Sequence, residues 1–397
     1  MKLHPVLPTL RAGTVAVKPA PQAQLPFPLN LTNGRTQLWY LGRNAIYAAL
    51  GILDLKEGDT VLVPSYTNGV EVAAIVARGL KVHQVRIKPD FTMDLDDLDR
   101  AFGETKSKLV LAIHYLGFAQ PIDGVMTIAR KHGARVFEDC ALSFLAKQPD
   151  GRPVGSVGDL AIYSVYKTLP VPDGAILVVN DPTLKMPEAP VEPDAASSVS
   201  GVGRLVMNGA RMGGVLGQGA AMALDMARRT AASLMNRAKV ERTAAGSMKF
   251  ETKRLPWGAS RFTRSILPRL DYEQIVAQRR ANFLHQRNRL AFVPTFYKEL
   301  PEGACPLFYP IIVDDKQAMM DGLNARGIEN VNFWSTWDPA TPPYEFPEIG
   351  YLRQHVVEIP CLQDLDLAGM DRICDAVLAI LARKTERAVA PDLVPAL

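Results

Sequence analysis

The chain has 397 residues, of which 48% are hydrophobic and 22% charged, an ordinary globular composition with room for two or three domains. A formal net charge of +4 is small for this length and does not point to nucleic acid as a partner. Cys140, Cys305, Cys361 and Cys374 show no C-x-x-C spacing, so neither a disulfide framework nor a zinc site is expected. The N-terminal MKLHPVLPTLRAG lacks the apolar core of a signal peptide, and no run of about 20 apolar residues is present. The expectation is a soluble, cytoplasmic protein.

Residues 1–33 are rich in proline without a clear period and read as an N-terminal arm. From Arg35 the pattern becomes regular. Asn44 to Leu53 reads as a helix, with Asn44 as its N-cap. Val61 to Val63 reads as a buried strand, Glu71 to Arg78 as a helix and Lys81 to Ile87 as a strand. A helix over Leu95 to Phe102, a strand over Leu109 to His114 and a proline-led helix over Pro121 to His132 follow. Arg135 to Glu138 is a strand closed by Asp139. Alternation of this kind predicts an α/β domain with a mainly parallel sheet, and ligands of such sheets sit beyond the carboxyl ends of the strands.

Next comes GDLAIYSVYKTLPVPDGA, from Gly158 to Ala175. Leu160 to Val165 reads as a buried strand, Pro-Asp-Gly as a turn, and Ala175 to Val179 as a second buried strand. Lys167 therefore lies at a strand tip between two buried strands. An amine held in an apolar setting is a nucleophile; the alternative is a lysine that buries its stem and sends its ammonium out to water.

From Asp181 the character shifts. Pro182 to Ser200 reads as a loop. Gly201 to Arg242 carries seven basic residues (Arg204, Arg211, Arg228, Arg229, Arg237, Lys239, Arg242) against two acidic ones (Asp225, Glu241), and its second half reads as an amphipathic helix. It is either a helical excursion packed on the large domain or a contact with an anionic surface such as a membrane. Beyond Pro256 a further unit holds a long helix over Tyr272 to Leu290, a strand over Leu307 to Val313, a helix over Gln317 to Arg326 closed by Gly327, and a last helix over Ala368 to Lys384. The expected organisation is an arm (1–33), a large domain (34–256, with 181–250 inserted) and a small C-terminal α/β domain (257–397).

Three stations combine. Gly42 and Arg43 precede a helix, where free N–H groups and a guanidinium suit a phosphate. Asp139 ends a strand, where a carboxylate can hold a protonated ring nitrogen or cap a turn. Lys167 supplies an amine. A phosphate site, a carboxylate and a lysine are what pyridoxal phosphate requires: the lysine as its covalent anchor, the carboxylate at the pyridinium.

The ordered segments resemble the DegT/StrS-type nucleotide-sugar aminotransferases, a branch of the fold-type I pyridoxal phosphate enzymes. GRNAIYAAL resembles the family's Ser-Gly-Thr phosphate turn and helix, and EGDTVLVPSYTNGVEVAAIVARG its GD-x-V-x-x-P-x-x-T segment. IHYLGFAQPID resembles its His-x-x-Gly…Asp stretch, RVFEDCA its I-E-D-A-A, and GDLAIYSVYKTLPVPDGA its GD…S-F…K…GEGG segment. A weaker match continues through QRRANF, LNARGIE and EIPCLQDL. Carried across, Lys167 resembles the Schiff-base lysine and Asp139 the pyridinium partner. Gly42, Arg43 and Ser164 align with phosphate-binding positions, and Thr67 with the family's threonine. Ser164 stands closer to the lysine than in the commoner pattern. Asn68 occupies the place of an aromatic that stacks on the cofactor, which leaves Tyr66 or His114 to cover the ring. Leu142 replaces a glutamine, and Pro-Asp-Gly-Ala replaces Glu-Gly-Gly. His114 has two readings, a satisfied core histidine or a cofactor-side group.

The resemblance implies a homodimer that transfers an amino group from an amino acid, glutamate by expectation, to a keto sugar carried on a nucleotide. The alternatives are another pyridoxal phosphate reaction (elimination or a lyase step) and a non-catalytic partner protein that keeps the fold. Arg261 and Arg264, in SRFTRS at the join of the two domains, are the expected substrate-binding cations. The aromatics Phe333, Trp334, Trp337 and Tyr344 mark either loop packing or a substrate rim.

Overall fold

The computed structural model describes residues 4–10, 12–212, 251–332, 334 and 346–389. A short helix α1 (Ala12–Ala16) lies in the N-terminal arm. The arm is tied to distant chain by backbone bonds from His4 to Gly327 and Glu329, and by Thr9 N–H donating to Asp364. The first sheet then forms from β1 (Thr36–Trp39), β2 (Thr60–Pro64), β3 (Lys81–Val85), β4 (Leu109–Ile113), β5 (Arg135–Asp139), β6 (Leu160–Ser164) and β7 (Ala175–Val179). Its order is β1-β7-β6-β5-β4-β2-β3, parallel from β6 to β3, with β7 antiparallel to both β6 and β1. β4, β6 and β7 are buried at every residue, as strands covered on both faces must be, and their sequences are accordingly near-continuous apolar runs. Each fully buried Leu, Ile or Val contributes about 1.5–3 kcal/mol relative to exposure.

The helices α2 (Gly42–Leu50), α3 (Val70–Val76), α4 (Leu95–Thr105) and α5 (Ile122–Lys131) connect these strands. α4 starts on Asp94, whose carboxylate accepts from the N–H groups of Asp96 and Asp97. α2 begins two residues before the expected start. Leu41 is its N-cap, and Asn44 does not cap: its amide donates to the carbonyls of Arg254 and Leu255. The loop expected over 182–200 also needs correction. α6 (Ala195–Met212) begins inside it, with Asp194 accepting from Ser197 N–H and hydroxyl, so the small residues there wind into a helix with a proper cap. Of the basic segment 201–242, only 201–212 falls among the described residues.

A second, antiparallel sheet joins β8 (Phe308–Ile312), β9 (Val331–Asn332) and β10 (Val356–Pro360) in the order β8-β10-β9. The helices Tyr272–Arg289, Lys316–Asn324, Pro347–His355 and Leu367–Val389 accompany it. β10 and the helix Pro347–His355 were not read from the sequence. Among the described residues no helix is long and apolar enough to cross a membrane.

Candidate active site at the carboxyl edge of the first sheet

The parallel pairing of β5 with β6 brings Asp139 level with Ile162, so Asp139 and Ser164 leave the sheet at the same edge. β6 passes directly into a 3-10 turn, Val165–Lys167, which carries the lysine. The chain returns through Gly174, whose φ of 123° is open to glycine and strained for other residues. Gly174 N–H donates to Tyr40 O and its carbonyl accepts from Val165 N–H, which ties the lysine loop to the end of β1. α2 starts two residues after Tyr40. A Cβ built on Gly42 would lie 3.0 Å from Ser164 Oγ, so the helix start and the serine hydroxyl face one another closely and a side chain at 42 would crowd the hydroxyl. All three stations thus meet.

Arg43 is buried, with Tyr166, Glu71 and Glu251 as charge neighbours; burial pulls its guanidinium below its ordinary pKa while those neighbours oppose the pull. Asp139 is buried, and its Oδ1 accepts from Ala141 N–H at 2.8 Å. Burial, reinforced by the negative charge of Glu71, pushes the Asp139 carboxyl up to about 7, against the opposing backbone bond and Lys167. Lys167 is half-buried and is a charge neighbour of Asp139, Glu71 and Glu358.

His114 is fully buried. Its Nδ1 accepts from Gln120 N–H at 3.0 Å, and Nε2 lies 2.9 Å from Glu138 Oε2. A neutral ring with Nδ1 as acceptor carries its proton on Nε2 and donates it to the carboxylate. Both nitrogens are used, so His114 has only a carbon face to offer a cofactor. Glu138 also accepts from the N–H groups of Gly155, Val157 and Gly158. Burial pushes its carboxyl upward, but His114 and these backbone donors outweigh that and hold it below the usual range. Cys140 Sγ lies with the His114 and Glu138 donor atoms inside 4.8 Å, yet the carboxylate there is already saturated by hydrogen bonds.

Tyr66 is buried in an aromatic group, 5.2 Å from Trp334 and 5.7 Å from Phe91 between centroids. Arg353 lies over its ring and donates to the Thr67 and Trp334 carbonyls. Thr67 is buried next to Asn68. Trp334 therefore takes the packing role; Phe333, Trp337 and Tyr344 lie outside the described residues.

SRFTRS forms a short helix, Arg261–Ile266, held on the lysine loop rather than opened toward it. Asp173 accepts from Ser260 N–H at 2.9 Å and from Thr263 Oγ1 at 2.8 Å. Arg261 is exposed and pairs with Glu192 at 2.8 Å, and Arg264 Nε donates to Ala259 O at 3.3 Å. Arg264 is a charge neighbour of Asp173 in the lysine loop.

Two residues were missed. Glu71, in the first turn of α3, is 8% exposed, and its Oε2 has no hydrogen-bond partner. Glu358, on β10, is 1% exposed; its Oε1 also lacks a partner, and burial pushes its carboxyl well up against the opposing charges of Lys167 and Lys316. A lone acid inside the apolar run VVEIP was the available signal for Glu358. Glu71 gave none, because an acid in a helix's first turn is ordinary.

An α/β layer that gathers a lysine, a carboxylate and a glycine-led helix start at one strand edge has the fold-type I architecture. Within that class, residues 42–189 carry the pattern of the DegT/DnrJ/EryC1/StrS aminotransferase family. The chain is 32% identical over 148 residues to a UDP-N-acetyl-3-dehydro-alpha-D-glucosamine 3-aminotransferase of Acidithiobacillus ferrooxidans, covering 36% of this chain and 40% of that protein. It is 31% identical over 146 residues to a GDP-perosamine synthase of Escherichia coli O157:H7, covering 36% and 40%. The match thus spans about two fifths of the length of these relatives. Solved structures extend the likeness in fold to nearly the whole chain. The aminotransferase TlmJ of Streptoalloteichus hindustanus superimposes with a TM-score of 0.68 at 19% identity, covering 96% of this chain and all of that one. The putative sugar aminotransferase Spr1654 of Streptococcus pneumoniae, in its PLP form, gives 0.65 at 16% identity, covering 96% and 99%.

Proposed function

We propose that this chain is a pyridoxal-phosphate-dependent aminotransferase that moves an amino group from an amino acid, glutamate by expectation, to a keto sugar carried on a nucleotide. The observation that carries the reading is the meeting of Lys167, Asp139 and the Gly42–Ser164 cradle at one edge of the sheet. The named relatives, a nucleotide-sugar 3-aminotransferase and a perosamine synthase, support the substrate class. The residues fit the cofactor: a glycine-led helix start and the Ser164 hydroxyl lie side by side as donors for an anion, and Asp139 is a buried carboxylate with one oxygen already oriented by Ala141.

Gly42 and Ser164 would bind the phosphate through backbone N–H and hydroxyl donors, with Arg43 adding charge. Asp139, ionised, would hold the proton on the ring nitrogen. Pyridoxal phosphate, when bound, supplies an electron sink for the carbon that loses its proton. Lys167 Nζ would anchor the cofactor and, once freed by the donor's amine, would take the donor's α-proton and deliver it to the carbon that had carried the aldehyde. A homodimer completing each site from both protomers belongs to the same reading.

One observation favours the second reading, a non-catalytic partner of this fold: Asn68 and Leu142 stand where the family carries a stacking aromatic and a glutamine. One experiment separates the two. Purified protein loaded with pyridoxal phosphate should absorb in the visible, and borohydride should fix the label on the peptide containing Lys167. No visible band, or a label on another lysine, would sink the enzymatic reading.

A further inference from the structure

The helix Tyr272–Arg289 buries three polar residues, Arg279, Asn282 and Gln286, at the three- and four-residue spacing that normally turns apolar side chains toward a core. All three are fully buried, and all donate to backbone carbonyls. Asn282 takes the carbonyls of Leu362 and Leu365, and Gln286 that of Pro360, so the chain leaving β10 is fastened to the helix. Arg279 takes those of Pro306 and Leu307, at 3.1 and 3.0 Å, on the chain entering β8. Pro360 pairs with Phe308 in the second sheet, so these two segments emerge side by side. From there two donors cross to the lysine turn. Gln363 Nε2 donates to Thr168 O at 2.9 Å, and Arg279 Nη2 reaches the same oxygen at 3.5 Å. Thr168 follows Lys167 and is buried, and its N–H donates to Val165 O, which closes the 3-10 turn. Among the described residues, Thr168 O is the one hydrogen-bond partner of the Gln363 side chain, and the partners of Arg279 are carbonyls rather than carboxylates. A guanidinium buried without a counter-ion is costly, so these contacts hold it at a place the fold does not otherwise favour.

The lysine turn is thus held at both ends. Val165 N–H donates to Gly174 O within the first sheet's own loop, and Thr168 O is held from the side of the second sheet. We propose that Gln363 and Arg279 are positioning residues for Lys167: they fix the carbonyl that follows the lysine and so set where its amine stands relative to Asp139. The inference rests on the cofactor reading above and adds to it two residues and a link from the second sheet to the lysine. Neither side chain needs to touch the cofactor. Only the soft dihedrals of Thr168 and one planar peptide separate the held oxygen from the backbone of Lys167, so a shift at that oxygen is passed on to the lysine. Covalent capture requires the amine to add to the cofactor's aldehyde carbon, with loss of water, and therefore depends on the amine's position. Binding through phosphate and ring does not.

Pyridoxal phosphate can condense with the lysine amine and pyridoxamine phosphate cannot, so the ratio of their affinities reads the lysine's placement apart from the rest of the site. Full-length protein stripped of cofactor is titrated with each ligand, for the wild type, Gln363→Met, Arg279→Lys and Gln286→Met, and each is unfolded in urea. Gln363→Met keeps the length and removes the donor. It should bind pyridoxal phosphate about tenfold more weakly, as loss of one buried hydrogen bond implies, and pyridoxamine phosphate within about twofold of the wild type. Arg279→Lys, which keeps the charge and loses the fork, should move the ratio the same way; if it does not fold, Gln363→Met decides. Gln286→Met removes a donor on the same helix face that serves Pro360 alone, and should lower the urea midpoint without moving the ratio. An unchanged ratio in Gln363→Met, or equal weakening toward both ligands, overturns the inference and leaves the cofactor reading intact. A ratio shifted as far in Gln286→Met overturns it too. A wild type that binds neither ligand, or that borohydride does not label at Lys167, overturns the cofactor reading and this inference with it.

Discussion

His114 Nε2 lies 2.9 Å from Glu138 Oε2, with both side chains fully buried. This pair ties three segments together: Glu138 accepts from the N–H groups of Gly155, Val157 and Gly158, and His114 accepts from Gln120 N–H. Glu138 and Asp139 are neighbours in sequence but point to opposite faces of β5, so one acid binds His114 and the 155–158 backbone while the other has Lys167 as a charge neighbour.

The first prediction follows from that pair. Removing one partner of a buried ion or hydrogen-bonded pair costs about 3–5 kcal/mol. Glu138→Ala should lower stability by about that amount in urea denaturation. The Glu138 carboxyl is held below its ordinary range in the folded state. Its contribution is therefore present above the unfolded carboxylate pKa and is lost as pH falls through the folded one. His114→Gln should keep pyridoxal phosphate affinity within a few-fold, because its nitrogens serve the fold; a large loss would assign the ring to the cofactor.

Gly42→Ala places a methyl 3.0 Å from Ser164 Oγ. The hydroxyl must turn away, and a hydrogen bond to a charged group is worth about 1.5–3 kcal/mol. Affinity for pyridoxal phosphate should fall about 10- to 100-fold, with little change in the urea midpoint. Unchanged affinity would place the phosphate elsewhere.

Asp139 has a folded-state pKa raised to about 7 in the cofactor-free protein, by burial first and Glu71 second. The folded state therefore binds more protons than the unfolded one between the ordinary Asp value of about 3.9 and about 7. Stability of the cofactor-free protein should fall as pH rises through that window, by up to about 1.4 kcal/mol per pH unit per proton. Asp139→Asn should flatten this dependence and weaken retention of the cofactor. A wild-type curve that rises through the window would contradict the placement.

Asp173 holds the helix Arg261–Ile266 on the lysine loop through Ser260 and Thr263. Asp173→Ala strands two buried donors, at about 1–3 kcal/mol each. It should reduce stability and also slow amino transfer, because the loop that carries Lys167 loses its brace. Arg261→Ala, which removes only an exposed pair with Glu192, should leave both unchanged. A raised KM in that variant would place Arg261 at the substrate site.

The sequence by itself determined the alternation of elements. LVLAI, LAIYS and AILVV are apolar without interruption, and a covered strand needs nothing else to announce it. It also placed Lys167 and Asp139 at strand ends, because both sit where such a run stops. The start of α6 escaped because Ala, Ser and Gly carry little period, and β10 because Glu358 and Pro360 break the apolar run that a buried strand normally shows. Tertiary structure alone decided which charges meet. Arg43, Glu71, Asp139, Lys167 and Glu358 lie on five separate elements: the strand order sets Asp139 beside the strand that leads to Lys167, α2 packs on α3, and Glu358 comes from the second sheet. Helix and strand periodicity is a property of neighbouring residues, whereas burial of a carboxylate and the ions around it depend on segments far apart in the chain. That is why the lysine could be read from its strand, and why the unpartnered acid beside it could not.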